Sequence, residues 1–161
     1  TNDASGAITR LLDMKIEPYL VSSALAGVAA QRLVRVLCTK CRQLDPYSRE
    51  ELLARYGEGA PEGTYYAARG CEFCNYTGYR GRVAIFELAQ IDDELRHLII
   101  NRAPHHTVKE SAVPAGMRTL LDDGLAKAAA GITSLAEVWR VVHVERANGG
   151  NGAGAERNSD A

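Results

Sequence analysis

The sequence has 161 residues, a net charge of −1 and a hydrophobic fraction of 46%. A chain of this size can bury a core as one domain or two small ones, and its near-neutral charge argues against a protein that coats nucleic acid. No apolar run reaches the roughly 18 residues that a membrane-spanning helix needs. We therefore expect a soluble protein, and its cysteine usage favours the cytoplasm.

The first part of the chain has apolar residues at helical spacing. A helix is predicted over 1–13, with Asp3 as its N-cap. Pro18 suits the first turn of a second helix, which the pattern extends over 19–37. This stretch has the composition of an amphipathic core helix.

Two arginines, Arg32 and Arg35, fall near the edge of the apolar stripe predicted for this second helix. The simpler interpretation is that both are solvated residues on an amphipathic helix. The alternative is that one of them contacts a nucleotide or a neighbouring subunit.

All four cysteines fall into two C-x-x-C pairs, Cys38 with Cys41 and Cys71 with Cys74, which 29 residues separate. Each pair makes a tight turn that directs two thiolates at one point, so the spacing predicts a tetrahedral zinc site. Four thiolates leave no open position for water, which favours a structural metal over a hydrolytic one. Two alternatives stay open: disulfides, which need an oxidising compartment, and a redox dithiol, which needs only one pair.

The segment between the cysteine pairs has a helix, a loop and a strand in its pattern. A capping box at 48–51 predicts a short helix that runs to Tyr56. Three glycines and a proline predict a loop over 57–63, and residues 64–67 are a short strand candidate.

After the last cysteine, glycines in the segment 78–82 permit a tight turn, and the composition of 83–89 predicts a mostly buried strand. Asp92 is the predicted cap of the next helix. His105 and His106 point in different directions if they are helical, so they form a poor chelating pair. We expect a loop or capping role for both.

The remaining helices are predicted from their starts and stops. A helix over 117–130 is ended by Gly131, and Gly124 within it is tolerated if another backbone packs there. A capping box at 134–137 opens the last helix. The Gly, Asn, Ala and Ser composition of 147–161 predicts disorder.

No recognisable catalytic motif is present in this sequence. It has no G-x-x-x-x-G-K-[ST] phosphate-binding loop, no H-E-x-x-H and no G-x-S-x-G. The acidic pairs at 92–93 and 122–123 are most simply helix-start and surface charges. The chain alone therefore offers no catalytic constellation.

A zinc ribbon that binds nucleic acid is the main rival interpretation. Residues 32–82 hold nine Lys or Arg and six Asp or Glu, a balance of +3. A zinc ion with four thiolates contributes −2, which leaves about +1 and too little charge to neutralise phosphates. Tyr76 and Tyr79 could stack on bases, but nothing else in the segment supports that role. We expect no nucleic-acid partner.

Several motifs together resemble the C-terminal part of the type II secretion ATPase, the E component of the general secretory pathway. The resemblance covers roughly 1–144, and the close relative in that family is the type IV pilus extension ATPase. The segment 18–23 and Val34 are more similar to the secretion branch. The matching segments are Thr1-Asn2-Asp3-Ala4, 16–23, 30–35, Leu37-Cys38, Gly70-Cys71-x-x-Cys74-Asn75, 78–82, Glu87-Leu88, 122–125 and 131–138.

The resemblance implies a cytoplasmic P-loop ATPase that uses ATP and Mg²⁺. It would act as a homo-hexamer, peripheral to the inner membrane through platform proteins of the secretion system, and would drive pseudopilus assembly and protein export. The P-loop would lie outside this chain, so the chain alone is expected to be inactive. The close relative leaves pilus assembly as an alternative role, and a stand-alone zinc-ribbon adaptor is a further one.

The resemblance also implies a fold class and a division of the chain. The fold is expected to be an α/β fragment, mainly α. Residues 1–37 would end a RecA-like core, 38–82 would be a zinc-binding tetracysteine subdomain, 83–146 a C-terminal helical subdomain and 147–161 a disordered tail. The expected zinc ligands are Cys38, Cys41, Cys71 and Cys74. Arg80 and Arg82 are expected to lie near the nucleotide or at a subunit contact in the hexamer.

Overall fold

The computed structural model of the chain describes residues 3–57 and 60–142, with the backbone alone described at Tyr56. These residues form a mixed α/β structure with seven α-helices and four β-strands. None of the described helices has the length and apolar character required to cross a membrane. The predicted disorder of 147–161 concerns residues outside the described part of the chain. The elements are α1 (Ala4–Asp13), α2 (Pro18–Ala24), β1 (Gly27–Leu37), β2 (Gln43–Leu44), α3 (Pro46–Tyr56), β3 (Tyr66–Ala67), β4 (Tyr79–Gln90), α4 (Asp93–Ile100), α5 (His105–Ala112), α6 (Leu120–Ala129) and α7 (Leu135–Val141).

A long antiparallel ribbon of β1 and β4 runs through the structure. Its register pairs Gly27 with Gln90 at one end and Leu37 with Tyr79 at the other, with an irregularity between Arg35 and Leu37. The strands β2 and β3 form a second, two-residue pairing. The ribbon's Leu37 end therefore brings the chain before the first cysteine pair next to the chain after the second.

The prediction of one helix over 19–37 is wrong beyond Ala24. The helix α2 stops there, and β1 takes up the rest of the stretch. Over 27–34, exposed residues alternate with more buried ones, which is the period of a strand rather than of a helix. Apolar residues that recur every few positions fit both periods over a short stretch, and the partner strand β4 decides between them.

The strand β4 is buried on one face only, which corrects the prediction of a mostly buried strand. Ile85, Glu87 and Ala89 are buried, whereas Phe86 is 51% and Leu88 63% exposed. This alternation is typical of an antiparallel sheet with one face on the core.

Helices pack on the inner face of the ribbon in two main clusters. One cluster joins α1, α2, α4 and α5 to the Gly27 end, through Ile8, Leu95 and Ile99 among others. A second joins α3, α6 and α7, with Leu52 and Val138 fully buried. A smaller group around Val34 and Ile85 lies between them.

Glu87 places a buried carboxylate between two helix starts. One oxygen accepts the N–H of Ala4, the first residue of α1, at 2.8 Å, and the other accepts the N–H of Leu120, the first residue of α6, at 3.2 Å. A carboxylate is favoured at helix N-termini, where unpaired N–H groups carry partial positive charge. Glu87 thus fixes both helices to β4.

Local capping signals predicted several helix starts correctly. Asp3 caps α1 through the N–H of Gly6, and Asp92 caps α4 through the N–H of Leu95. Gly131 adopts a positive φ just after Ala130, the C-cap of α6, as expected of a residue that ends a helix. His105 and His106 are the first two residues of α5.

Three predicted details of the helix starts are wrong. Asp45, rather than Ser48, caps α3, and both the N–H and the hydroxyl of Ser48 donate to its carboxylate. The helix α6 begins at Leu120 rather than 117, because Thr119 and Asp122 form a reciprocal capping box there. Ser134 caps α7, but the carboxylate of Glu137 turns away from it, toward β1.

Candidate metal centre

Each C-x-x-C pair forms a tight turn, as its spacing predicts. The carbonyl of Cys38, just after β1, accepts the N–H groups of Cys41 and Arg42. The carbonyl of Cys71 accepts those of Cys74 and Tyr76, where the chain makes a single 3-10 turn at Glu72–Cys74. We call these two turns the first and the second knuckle.

The two knuckles bring all four sulfur atoms together, within 4.8 Å of one another. The Cys38–Cys71 Sγ distance is 3.9 Å, and the Cys41–Cys74 and Cys71–Cys74 distances are 3.8 Å. Four sulfurs bound tetrahedrally at about 2.3 Å from zinc would lie about 3.8 Å apart. These distances fit a metal ion and are far longer than the roughly 2.05 Å of a disulfide, and all four cysteines are free thiols.

Backbone N–H groups point at the sulfur atoms. The N–H of Gly70 donates to Cys41 at 3.3 Å, which links the two knuckles, and those of Cys71 and Gly78 donate to Cys74 at 3.2 Å. Donors of this kind stabilise a thiolate over a thiol. Gly70 must be glycine, because its φ is +112° and a Cβ would lie 2.6 Å from the carbonyl oxygen of Tyr76.

The sulfurs differ in their acidity. Burial alone would raise the pKa of Cys74, but the N–H groups of Cys71 and Gly78 outweigh it and lower that pKa to about 6. Burial raises the pKa of Cys41 to about 11, although the N–H of Gly70 opposes this effect. Because a metal binds thiolates, binding at this site must release protons and become weaker in acid.

Residues 1–140 match a protein family described as the type II/IV secretion system protein. This chain belongs to that family. It is 48% identical over 144 residues to a type IV pilus assembly ATPase, PilB, of Thermus thermophilus, a match that covers 86% of this chain and 16% of the relative. It is 46% identical to the type II secretion system protein E of Pseudomonas aeruginosa, covering 90% of this chain and 29% of the relative.

A similar match joins the chain to the type II secretion system ATPase E of Vibrio cholerae. The two are 46% identical over 143 residues, which cover 88% of this chain and 28% of the relative. The chain thus spans less than a third of the length of each of these secretion-family relatives.

Arg80 and Arg82, the two arginines expected near nucleotide or at a subunit contact, lie in different surroundings. The guanidinium of Arg80 stacks on the ring of Phe73 at 4.1 Å and donates to the carbonyl of Phe73 at 2.8 Å, so it holds the second knuckle. Arg82 is exposed and lies opposite Arg35 in the ribbon. It lines an open cavity of about 480 Å³ together with Arg35, Thr77, Tyr79 and Gly81.

Arg35 binds a carboxylate that the sequence did not assign to it. Glu137 accepts the backbone N–H of Arg35 at 3.0 Å and its guanidinium at 2.7 Å, and also binds Arg140. Burial would raise the pKa of Glu137, but the hydrogen bonds from Arg140 and Arg35 outweigh it and lower that pKa to about 2. The sequence signal at Glu137 was its place in a capping box, which gave no indication of this partner.

Arg32 lines a second cavity, of about 560 Å³, between α1, α5 and α6. On its wall, Asp3 accepts hydrogen bonds from His105 at 3.0 Å and Lys109 at 3.2 Å. Burial would raise the pKa of Asp3, but the N–H of Gly6 and these two side chains outweigh it and lower that pKa. The expected loop or capping role of His105 is wrong, because His105 lies in the first turn of α5, makes no capping bond and ties this helix to the start of α1.

Proposed function

We propose that Cys38, Cys41, Cys71 and Cys74 bind one Zn²⁺ ion in a closed, structural site. The observation that carries this proposal is the set of sulfur–sulfur distances of 3.8 and 3.9 Å, which matches the edges of a tetrahedral thiolate site. When bound, the ion would supply a cross-link between the end of β1 and the segment that leads into β4. It would have no free coordination position for substrate.

We further propose that the chain is the C-terminal part of a longer secretion ATPase. Its family and its coverage of less than a third of each relative support this proposal, as does the lack of a phosphate-binding loop motif in the sequence. In this proposal residues 1–37 complete a RecA-like core, 38–82 form the zinc subdomain and 83–146 the helical subdomain. ATP and Mg²⁺ bind to the parent protein, outside this chain.

The proposed parent works as a cytoplasmic hexamer held at the inner membrane by platform proteins of the secretion system. We propose type II secretion as its process, because residues 18–23 and Val34 are more similar to that branch. Assembly of a type IV pilus is the alternative, and identities of 48% and 46% to relatives of the two kinds favour neither.

Of the two candidate arginines, we propose Arg82 as the one that contacts nucleotide or a neighbouring subunit. Its guanidinium makes no ion pair or hydrogen bond with any residue that the structure describes, and a guanidinium suits phosphate and carboxylate groups. The contacts of Arg80 to Phe73 favour a local role instead.

ATP hydrolysis tests the proposal that the chain is part of a longer ATPase and the proposed role of Arg82. We expect no hydrolysis by the 161-residue chain, and hydrolysis by the longer polypeptide that contains it. In that polypeptide Arg82→Ala should lower kcat about tenfold or more, because a charge that stabilises the transferred phosphate is lost. Arg69→Ala, an exposed arginine before the second knuckle, serves as the matched control and should retain the activity. Hydrolysis by the chain alone would contradict the fragment proposal, and full activity of Arg82→Ala would contradict the role of Arg82.

A further inference from the structure

Residues 131–134, the connection between α6 and α7, contact the flanks of both knuckles. We call this segment the bracing loop. Its hydrogen bonds to these flanks go to Arg35, Leu37, Arg42 and Tyr79, which lie one to five positions outside a cysteine pair, and none of them is to a cysteine sulfur. Such residues control where the ligands stand without binding the metal themselves.

The first knuckle is held at its entrance and its exit. Before it, the N–H of Leu37 donates to the carbonyl of Ile132 at 2.9 Å, and the hydroxyl of Thr133 donates to the carbonyl of Arg35 at 2.8 Å. After it, the guanidinium of Arg42 donates to the carbonyl of Gly131 at 2.7 Å. Three consecutive residues of the loop therefore hydrogen-bond to the backbone before Cys38 and to the side chain that follows Cys41.

The second knuckle is held by the fourth residue of the loop. The hydroxyl groups of Tyr79 and Ser134 are 2.7 Å apart and hydrogen-bonded. Tyr79 follows Gly78, whose N–H donates to the sulfur of Cys74 and whose carbonyl accepts the N–H of Cys38. A displacement of Tyr79 would therefore shift Gly78, and with it Cys38 of the first knuckle and Cys74 of the second.

The bracing loop is itself held firmly. Thr133 has no exposed surface, and Ser134 accepts the N–H of Glu137 as the cap of α7. Gly131 has a φ of +70°, and a Cβ there would lie 2.9 Å from the ring of Tyr66. The loop is therefore a fixed support, since its conformation and its burial both restrict it.

We propose that the bracing loop positions the two knuckles for the metal, so that metal binding and the docking of α6 and α7 are thermodynamically linked. Thr133, Ser134 and Tyr79 are its positioning residues. This inference rests on the proposed zinc site. Ligands held in place before the metal arrives bind it more tightly, and the metal in turn stabilises the docked loop by the same factor.

Zinc affinity of the 161-residue chain tests the inference. Tyr79→Phe and Thr133→Val each remove one hydroxyl and keep the bulk of the side chain. Competition with a chromophoric chelator, well below the unfolding temperature, should show zinc bound about 10-fold more weakly by either variant. The matched control, Thr9→Val, removes a hydroxyl within α1, which packs at the Gly27 end of the ribbon, and should leave the zinc affinity unchanged.

The outcomes separate the inference from the site on which it rests. If the unmutated 161-residue chain binds no zinc, the proposed site is contradicted. If the unmutated chain binds zinc and Tyr79→Phe binds it equally tightly, only the bracing role is contradicted. If Thr133→Val fails to fold, Tyr79→Phe decides, because it keeps the ring over which Arg35 stacks at 4.1 Å.

Hydrogen exchange provides a second readout. Removal of zinc should speed exchange of the amides of Val138 in α7 and of Val142 at its C-cap, and should leave the Leu95 amide in α4 unchanged. Equal exchange in α7 with and without zinc would overturn the linkage.

Discussion

At the scale of single residues, Glu137 is a buried carboxylate that two arginines bind. Its side chain has no exposed surface, and it lies 2.7 Å from the guanidinium of Arg35 and 2.6 Å from that of Arg140. These contacts hold its pKa at about 2 in the folded protein, below its ordinary value of 4.5. Because the folded pKa is the lower one, the stabilisation is complete above pH 4.5 and is lost as the pH falls toward 2.

We therefore predict that Glu137→Gln lowers the free energy of unfolding by about 2 kcal/mol at neutral pH. This value is smaller than the pKa shift alone would give, because both arginines are partly exposed and water screens their charges. The difference between parent and variant should shrink as the pH falls from about 4.5 to 2. Denaturant unfolding at several pH values measures this difference in the free energy of unfolding. Acid also releases any bound metal, but that effect is common to both proteins and cancels in the difference.

Glu110→Gln, an exposed glutamate on α5, is the control for this change of charge and should show no such pH dependence. A difference for Glu137→Gln that stays constant from neutral pH to pH 2 would contradict the electrostatic account.

The contacts of single residues also show which features a local sequence pattern can predict. Asp3 and Asp92 were predicted as caps because a cap bonds a backbone group only three residues away. Arg35, which binds Glu137, is 102 residues away from it in the sequence. Ala4, whose N–H is accepted by Glu87, is 83 residues away from that carboxylate. Pairings at such separations follow from the tertiary fold, which no local pattern encodes.

At the scale of elements, the stretch that became β1 shows why periodicity can mislead. Its apolar residues fit a helical stripe as well as an alternating one, and neither Gly nor Pro interrupts it between Val28 and Leu37. The strand forms because β4 pairs with it over its whole length. Since β4 begins more than 40 residues later, the sequence around β1 did not contain the information that decides its structure.

The packing of α6 on α7 leads to a prediction at Gly124. A Cβ at this position would lie 2.9 Å from Cγ1 of Val138, which is fully buried, so a side chain rather than the expected backbone packs there. Alanine should gain about 1 kcal/mol of helix propensity, but the overpacking costs typically 1–3 kcal/mol. We therefore expect Gly124→Ala to lower the free energy of unfolding by about 1 kcal/mol.

Thermal or denaturant unfolding measures the effect of Gly124→Ala. The exposed position Ala136 in α7 serves as the reference for propensity alone, and Ala136→Gly there should cost about 1 kcal/mol. A Gly124→Ala variant more stable than the parent would show that the two helices can move apart at no cost, contrary to this account of their packing.

At the scale of the whole molecule, the cysteine pairs were the most informative part of the sequence. Their spacing predicted that four sulfurs would meet, because each C-x-x-C turn is local and only one loop had to close. The bracing loop could not be foreseen, since its contacts join residues about 55 to 98 positions apart. The family match adds what the chain cannot show alone, namely that its relatives are several times longer.

The four cysteines are proposed to hold one metal ion as a cross-link within a member of the type II/IV secretion system protein family. The most direct test is the zinc content per chain together with a count of reactive thiols, on protein purified without chelator. We predict one zinc per chain and no reactive thiol until the metal is stripped, after which four should appear. A chain with no metal and four reactive thiols from the start would contradict the claim and remove the basis for the bracing role of residues 131–134.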